Sequence, residues 1–459
     1  MIIRTQIKLL ILIGLFLISY IFSVSIGINA VPLLILLIPA VFINGFLYGF
    51  NRSVEGLVWL IIYITWFTLL SILTAQISDD SVSIKILIAL KEFFAIGLFT
   101  GLLKSKWKEI KLNKLDFIYI AFFGMYTAYG FFYGANLSSR FISYRAGLFI
   151  FIFYSIGRMY QLSIKEVILL IRTYLLSALI IGLSGVLEMF LVNFWEILDI
   201  LKYANLKFSN AKVYNGVPSN FSTYIDGIRQ RRMVGFFAEA TSFGKYMATG
   251  LSFCFFFFIK TPRSINYLIG SVLFATCLYY SYSRGAQLLF LFSFSILLWK
   301  KQKILFSVFG SLVIVFIIQS SLFSLNSTNN GRHLSGLYAG LNAVKTNFIG
   351  HGLGTAGTAL IMQNEITEGI NESAKESFVG ELTYQFGVPG ITIFILIIIF
   401  NLKILIRVYN KKPNDIVLLV AGLSLGLFMT SILATSSVYT VSSYFILILT
   451  GHFSAQYEK

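Results

Sequence analysis

Residues 226–250 read DGIRQRRMVGFFAEATSFGKYMATG, and LSFCFFFFI follows at 251–259. Three cations, Arg229, Arg231 and Arg232, lead straight into an apolar run that still carries Glu239 and Lys245. A charged side chain inside a bilayer is costly, so a membrane segment that keeps its charges is a functional candidate by default. The stretch reads as the wall of a site for an anionic group, placed where a span meets the outer membrane surface.

The composition puts this stretch in a membrane. Of 459 residues, 57% are hydrophobic and only 12% are charged, which suits a polytopic membrane protein and no soluble domain. Apolar runs of spanning length lie near 7–27, 29–50, 54–76, 82–103, 115–135, 146–162, 166–190, 234–259, 264–282, 285–299, 303–321, 378–404, 415–432 and 433–453. The expected fold is therefore an all-α polytopic integral membrane protein with about 12–14 transmembrane helices. The first run is a full span with no small-residue cleavage site after it, so it is not expected to be removed as a signal peptide. Cys254 and Cys277 both sit in apolar runs and read as packing residues.

Charge placement orients the spans. If the N-terminus is cytoplasmic, alternate connections hold Arg4 and Lys8; Arg52; Lys104, Lys106, Lys108, Lys111 and Lys114; Arg158 and Lys165; Lys260 and Arg263; Lys300, Lys301 and Lys303; and Lys403, Arg407, Lys411 and Lys412. Cytoplasmic loops favour Lys and Arg in this way, so the net charge of +17 is largely topology and no evidence for nucleic acid. The same register divides the chain into transmembrane helices at 1–190, a first outer loop at 191–233, central helices at 234–321, a second outer loop at 322–377 and final helices at 378–459. Two sizeable outer loops and little cytoplasmic mass put the working end outside. No Gly-rich phosphate motif of the Walker type is present.

Several cations break the positive-inside pattern: Arg140 and Arg145, Arg229, Arg231 and Arg232, Arg284, and Arg332. Arg stays charged and makes bidentate contacts with phosphate oxygens, so a cluster of them at the outer surface suits a diphosphate on a lipid. Each alone reads equally well as a contact to anionic headgroups or loop acids. Function is favoured for Arg232 and Arg284, each followed closely by a Gly (Gly235, Gly285) where a span opens. Lys202, Lys207 and Lys212 read as a solvated basic face. The buried acids are Glu188, Glu239, Glu376 and Glu381, each either a counter-ion for Arg or a proton acceptor. Glu239 follows Arg232 by seven residues, about two helical turns, and reads as an orienting partner for the arginines if the helix begins that early. Among the histidines, His333 and His351 are candidate bases in the second outer loop, and His452 is incidental. Asp79 and Asp80 form a lone acidic pair in a short outer turn, with no second cluster to complete a metal cage, so neither metal nor cofactor is expected.

Four stretches, taken in order, resemble the O-antigen polymerase and O-antigen ligase superfamily of bacterial polysaccharide assembly. RRMVGFFAEATSFGKYMATG is similar to the family's Arg-x-x-Gly-Phe run, and YSYSRGAQLLF to its Ser-Arg-Gly span opening. GRHLSGLYAGLNAVKTNFIGHGLGTAG resembles the large-loop pattern, and ESFVGELTYQFGVPGI the segment that leaves that loop. Together they cover roughly residues 226–400. The resemblance implies a glycosyltransferase that uses undecaprenyl-diphosphate-linked oligosaccharide and no nucleotide sugar, outside the inner membrane. Its implied partners are that lipid-linked oligosaccharide, membrane lipids and a chain-length regulator membrane protein. Arginines (Arg145, Arg231, Arg232, Arg284, Arg332) would neutralise the leaving diphosphate. Ligases of the superfamily carry a His where the large loop re-enters the membrane. This chain has Glu376 and Ser377, which favours a polymerase over a ligase or protein oligosaccharyltransferase. The base is left among Glu381, Glu376 and His333. On one continuous helix Glu376 and Glu381 would point about 140° apart, so only one would face the arginines. Glu381 is favoured because it lies deeper in the apolar segment, and Glu376 reads as a helix cap. A flippase for lipid-linked oligosaccharide is the main non-enzymatic alternative, but it would need charge along a central cavity from both faces.

Overall fold

The structure, a computed structural model, describes residues 31–77, 79–106, 108–192, 194–207, 213–214, 217–225, 228–261, 264–301, 330–357, 377–432 and 439–458. The expected spans 7–27 and 303–321, and Glu376, lie outside the described residues. The chain is an all-α polytopic membrane protein. Among the described residues, six helices are long and apolar enough to cross a membrane: α2 (Val54–Ile77), α3 (Ser81–Lys106), α4 (Lys114–Phe132), α6 (Ile164–Phe190), α9 (Ala240–Lys260) and α13 (Phe378–Lys411). Apolar helices α1 (Val31–Phe50), α5 (Leu137–Met159), α10 (Ile265–Tyr280), α11 (Arg284–Lys301), α14 (Asp415–Ser431) and α15 (Val441–Ala455) accompany them. The chain divides into two compact units, one of residues 1–110 and 159–282, the other of residues 111–158 and 283–459.

In the first unit, α1 and α3 cross through two reciprocal glycine pairs. Gly45 and Gly49 lie against the Phe94 and Leu98 carbonyls, while Gly97 and Gly101 lie against those of Phe42 and Phe46. Lipid offers little hydrophobic reason for helices to associate, so close backbone approach through small residues four apart supplies the contact area. A Cβ at any of the four would meet a carbonyl oxygen. Gly49→Leu should therefore destabilise this crossing by roughly 1–3 kcal/mol through overpacking. An unchanged thermal midpoint for the detergent-purified variant would refute the reading.

The described part of residues 191–233 is structured. The short helices α7 (Phe194–Ile197) and α8 (Ile200–Lys207) are followed by two small antiparallel hairpins, β1–β2 (Val213–Tyr214, Val217–Pro218) and β3–β4 (Ser222–Ile225, Ile228–Arg231). Trp195, Ile200, Tyr203, Val217 and Phe221 bury themselves with Ile72, Ala75 and Ile84, so the segment packs on the ends of α2 and α3. The acidic pair belongs to this packing. Asp80 accepts from the Val82 and Ser83 amides and the Ser83 hydroxyl, capping α3, and Asp79 pairs with Lys202 at 2.8 Å. Burial pushes the Asp80 carboxyl up, but these hydrogen bonds and Lys85 hold it below the ordinary value.

In the second unit, Asn113 and Asp116 form a capping box at the start of α4. Asp116 also takes a paired Arg158 at 3.0 Å and the Tyr154 hydroxyl at 2.7 Å, tying α4 to α5. Helix α5 starts at Leu137, earlier than the apolar run from 146, because Asn136 caps Ser139 and the amphipathic turn LSSRFISYR is still helical. Arg140 and Arg145 thus lie on a helix and not in the connection before it. Helix α12 (Asn330–Thr346) lies within residues 322–377. It crosses α13 where Gly336 and Gly340 lie against Gly380.

Helix α13 is broken at Gly387, which has φ 61° and ψ −144°, two residues before Pro389. Proline has no N–H to give the Gln385 carbonyl, and the break also frees the Tyr384 carbonyl and the Val388 amide. The glycine-rich run 347–357 supplies what the break leaves open. His351 N donates to Tyr384 O at 2.9 Å, Gly352 N to Gln385 O at 2.9 Å, and Val388 N to Phe348 O at 2.9 Å. The run is also pinned to the end of α4. Leu353 N donates to Tyr133 O at 3.0 Å, and the Tyr129 hydroxyl to Ile349 O at 2.6 Å.

Candidate functional site

The carboxylate of Glu381 lies in the first turn of α13, whose N-cap Ser377 bonds the Gly380 amide. A helix N-terminus favours a negative group there. Glu381 is 7% exposed, and its Oε1 accepts from Gln385 Nε2 at 3.0 Å, one turn further on. Its Oε2 is buried with no hydrogen-bond partner among the described residues. A buried acceptor without a partner is expensive and asks for an explanation, such as a ligand hydroxyl or a water. The carboxyl rests directly on Gly357, at φ 78° the last described residue of the glycine-rich run. The Tyr126 and Tyr439 phenols lie within electrostatic reach.

Glu376, the second candidate base, is outside the described residues. Helix α13 does not reach it, because Ser377 is the N-cap with extended backbone (φ −120°, ψ 124°). Glu381 is thus the candidate base whose helical position is described. Arg332 and His333 fall in the first turn of α12, with side chains outside the described residues. His351 stacks on Tyr384, with ring centroids 4.6 Å apart, and its backbone serves the break in α13.

Arg284 and Arg145 belong to the same unit as Glu381. Arg284 is the first residue of α11 and half-buried; Arg145 is half-buried on α5. A cation at a helix N-terminus opposes the macrodipole, so Arg284 is not there to stabilise its own helix. On the sequence-based expectation of a polymerase, Arg284→Ala should reduce polymer formation by two orders of magnitude or more, with insertion intact. Lys should rescue poorly, since a point charge cannot replace a bidentate fork. On that same expectation, normal polymer from Arg284→Ala would place any diphosphate contact elsewhere.

Arg231 and Arg232 belong to the other unit, at the end of β4. Arg232 Nε donates to Ser281 O at 2.8 Å and its amide to Phe221 O at 2.8 Å. Arg231 reaches Glu188 Oε1 at 3.5 Å, a long contact. Glu188, 3% exposed, is held mainly by backbone: its Oε2 accepts from Val234 N at 3.1 Å and Gly235 N at 2.8 Å. This buried acid fixes the connection between the cationic hairpin and α9.

The expectation that Arg232 and Glu239 share a helical face is corrected. Gly235 (φ 48°) and Ala238 (φ 54°) have positive φ, at the start of and just after a single 3-10 turn at Gly235–Phe237, so residues 232–239 are not α-helical and α9 begins at Ala240, not at 234. Glu239 occupies the N-cap position, and its carboxylate accepts from the Thr241 and Ser242 hydroxyls at 2.5 and 2.7 Å. Lys245 is buried at 1% exposure, and Glu239 acts on it electrostatically.

Sequence reasoning passed over Gln385 and Gly357. The one signal for Gln385 was its spacing of four from Glu381, which puts the two on one helical face. Gly357 was visible only as one glycine among several. No family model matches this chain, and no curated protein matches it.

Proposed function

We propose that the chain polymerises lipid-linked oligosaccharide repeats of a bacterial surface polysaccharide, at the outer face of the inner (plasma) membrane. The acceptor sugar's hydroxyl oxygen forms a bond to the anomeric carbon of the growing chain. The bond from that carbon to the undecaprenyl diphosphate breaks, and the diphosphate leaves with the electron pair. Arg284 and Arg145 are the first choices to stabilise that charge, an electrostatic role that works best where water is excluded. The acceptor proton passes to Glu381.

The observation that supports this reading is the Glu381 carboxylate: buried, held through one oxygen and without a partner on the other among the described residues. A general base needs an open acceptor within hydrogen-bond reach of the attacking hydroxyl. The ordered resemblance of residues 226–400 to the polymerase and ligase superfamily points the same way.

Deleting the gene and running the surface polysaccharide on a gel tests the proposal. A polymerase mutant leaves one repeat on the lipid core, a ligase mutant none, and a flippase mutant leaves lipid-linked repeats on the cytoplasmic side. An unchanged ladder would sink the proposal. Cytoplasmic labelling of a cysteine placed near residue 345 would sink the orientation.

A further inference from the structure

The geometry points to Gln385 as the positioning residue that aims Glu381, an inference that rests on the polymerase reading. Gln385 is 2% exposed and every polar atom of its side chain is used. Nε2 donates to Glu381 Oε1 at 3.0 Å and to Ala356 O at 3.0 Å, and Oε1 accepts from Gly354 N at 3.2 Å. Its backbone carbonyl, freed by Pro389, accepts from Gly352 N at 2.9 Å. One residue thus joins the carboxylate to the glycine-rich run on which that carboxylate rests.

The consequence is orientation. Two amide hydrogens fixed between Ala356 O and Glu381 Oε1 hold the carboxyl in one rotamer, with Gly357 against its face. With Oε1 committed, Oε2 is the oxygen left to take a proton. Neighbours that lock a reacting group's rotamer set how well it meets its target, and misplacement by about 1 Å costs about 100-fold. The break in α13 serves the same end, because without it the Tyr384 carbonyl and the Val388 amide would bond each other inside the helix and could not hold the loop through His351 N and Phe348 O.

An exchange of the pair separates positioning from simple structural support. Gln385→Glu keeps the size and the acceptor for Gly354 N but removes both donated bonds. It should cut polymer at least tenfold in the deletion strain, with normal protein in the membrane, and should lower the thermal midpoint of the purified protein. The double variant E381Q/Q385E restores a donor–acceptor pair with its ends reversed. It should recover part of the thermal midpoint, since the bond to Ala356 O stays lost, yet make no polymer, because the carboxylate now sits one turn away. Wild-type polymer from Gln385→Glu while Glu381→Gln makes none overturns the positioning role alone. Polymer restored by the double variant, which lacks the Glu381 carboxylate, overturns both the base assignment and the positioning role. Wild-type polymer from Glu381→Gln overturns the base assignment and the positioning role with it.

Discussion

Glu381→Gln should abolish polymer while leaving the protein folded and in the membrane. Gln keeps the size of the side chain, and its carbonyl can still accept from Gln385, so the packing against Gly357 survives. Only basicity is lost. Removing a general base typically costs about 100-fold to 10,000-fold in rate, enough to erase a polysaccharide ladder. Lipid-linked repeat should still bind and accumulate, because diphosphate recognition is assigned to other residues. The measurement is a gel of surface polysaccharide from the complemented deletion strain, beside an immunoblot of its membranes. If Glu381→Gln stays active and Glu376→Gln or His333→Ala is dead, the base lies in the second outer segment and the enzyme class survives.

Much of the fold was legible because hydropathy reads spans directly. The runs 54–76, 82–103, 166–190 and 415–432 became Val54–Ile77, Ser81–Lys106, Ile164–Phe190 and Asp415–Ser431. What hydropathy cannot read is backbone conformation within an apolar run. VGFFAEAT is apolar enough to pass for helix, yet positive φ at Gly235 and Ala238 keeps it from being α-helical. The break in α13 had a local signal in Gly387 and Pro389, but its consequence was not local. The carbonyls it frees are taken by amides more than thirty residues earlier in the chain.

The candidate site was half legible for the same reason. Glu381 stood out as an acid in an apolar run, a pattern that needs no structure. Its single open oxygen, the clamp by Gln385 and the contact with Gly357 exist only because the 347–357 run folds onto α13. Likewise Glu188 read as either a counter-ion for arginine or a proton acceptor, while its shortest hydrogen bonds come from the Val234 and Gly235 amides. Partners that are backbone atoms of a distant turn leave no mark in residue type.

Gly357→Ala should be nearly as damaging as loss of the carboxylate itself, although it removes no functional group. At φ 78° an L-residue is strained by about 1–2 kcal/mol. The larger effect is steric, since the new methyl would occupy the space of the Glu381 carboxyl group. The loop cannot retreat, because the amides of His351, Gly352 and Gly354 are all bonded to α13. The carboxylate must therefore swing away from Gln385, and a displacement of about 1 Å is expected to cost 100-fold or more in polymer formation. Gly124→Ala is the matched control. Its added methyl meets nothing within 4 Å on α4, and polymer should be unchanged. Shortening the acid gives a second arm: in the Gly357→Ala/Glu381→Asp double variant the smaller carboxylate makes room for the methyl, so polymer should exceed that of Gly357→Ala alone. A Gly357→Ala strain with a wild-type ladder would mean that the carboxylate's contact with this loop has no part in the chemistry.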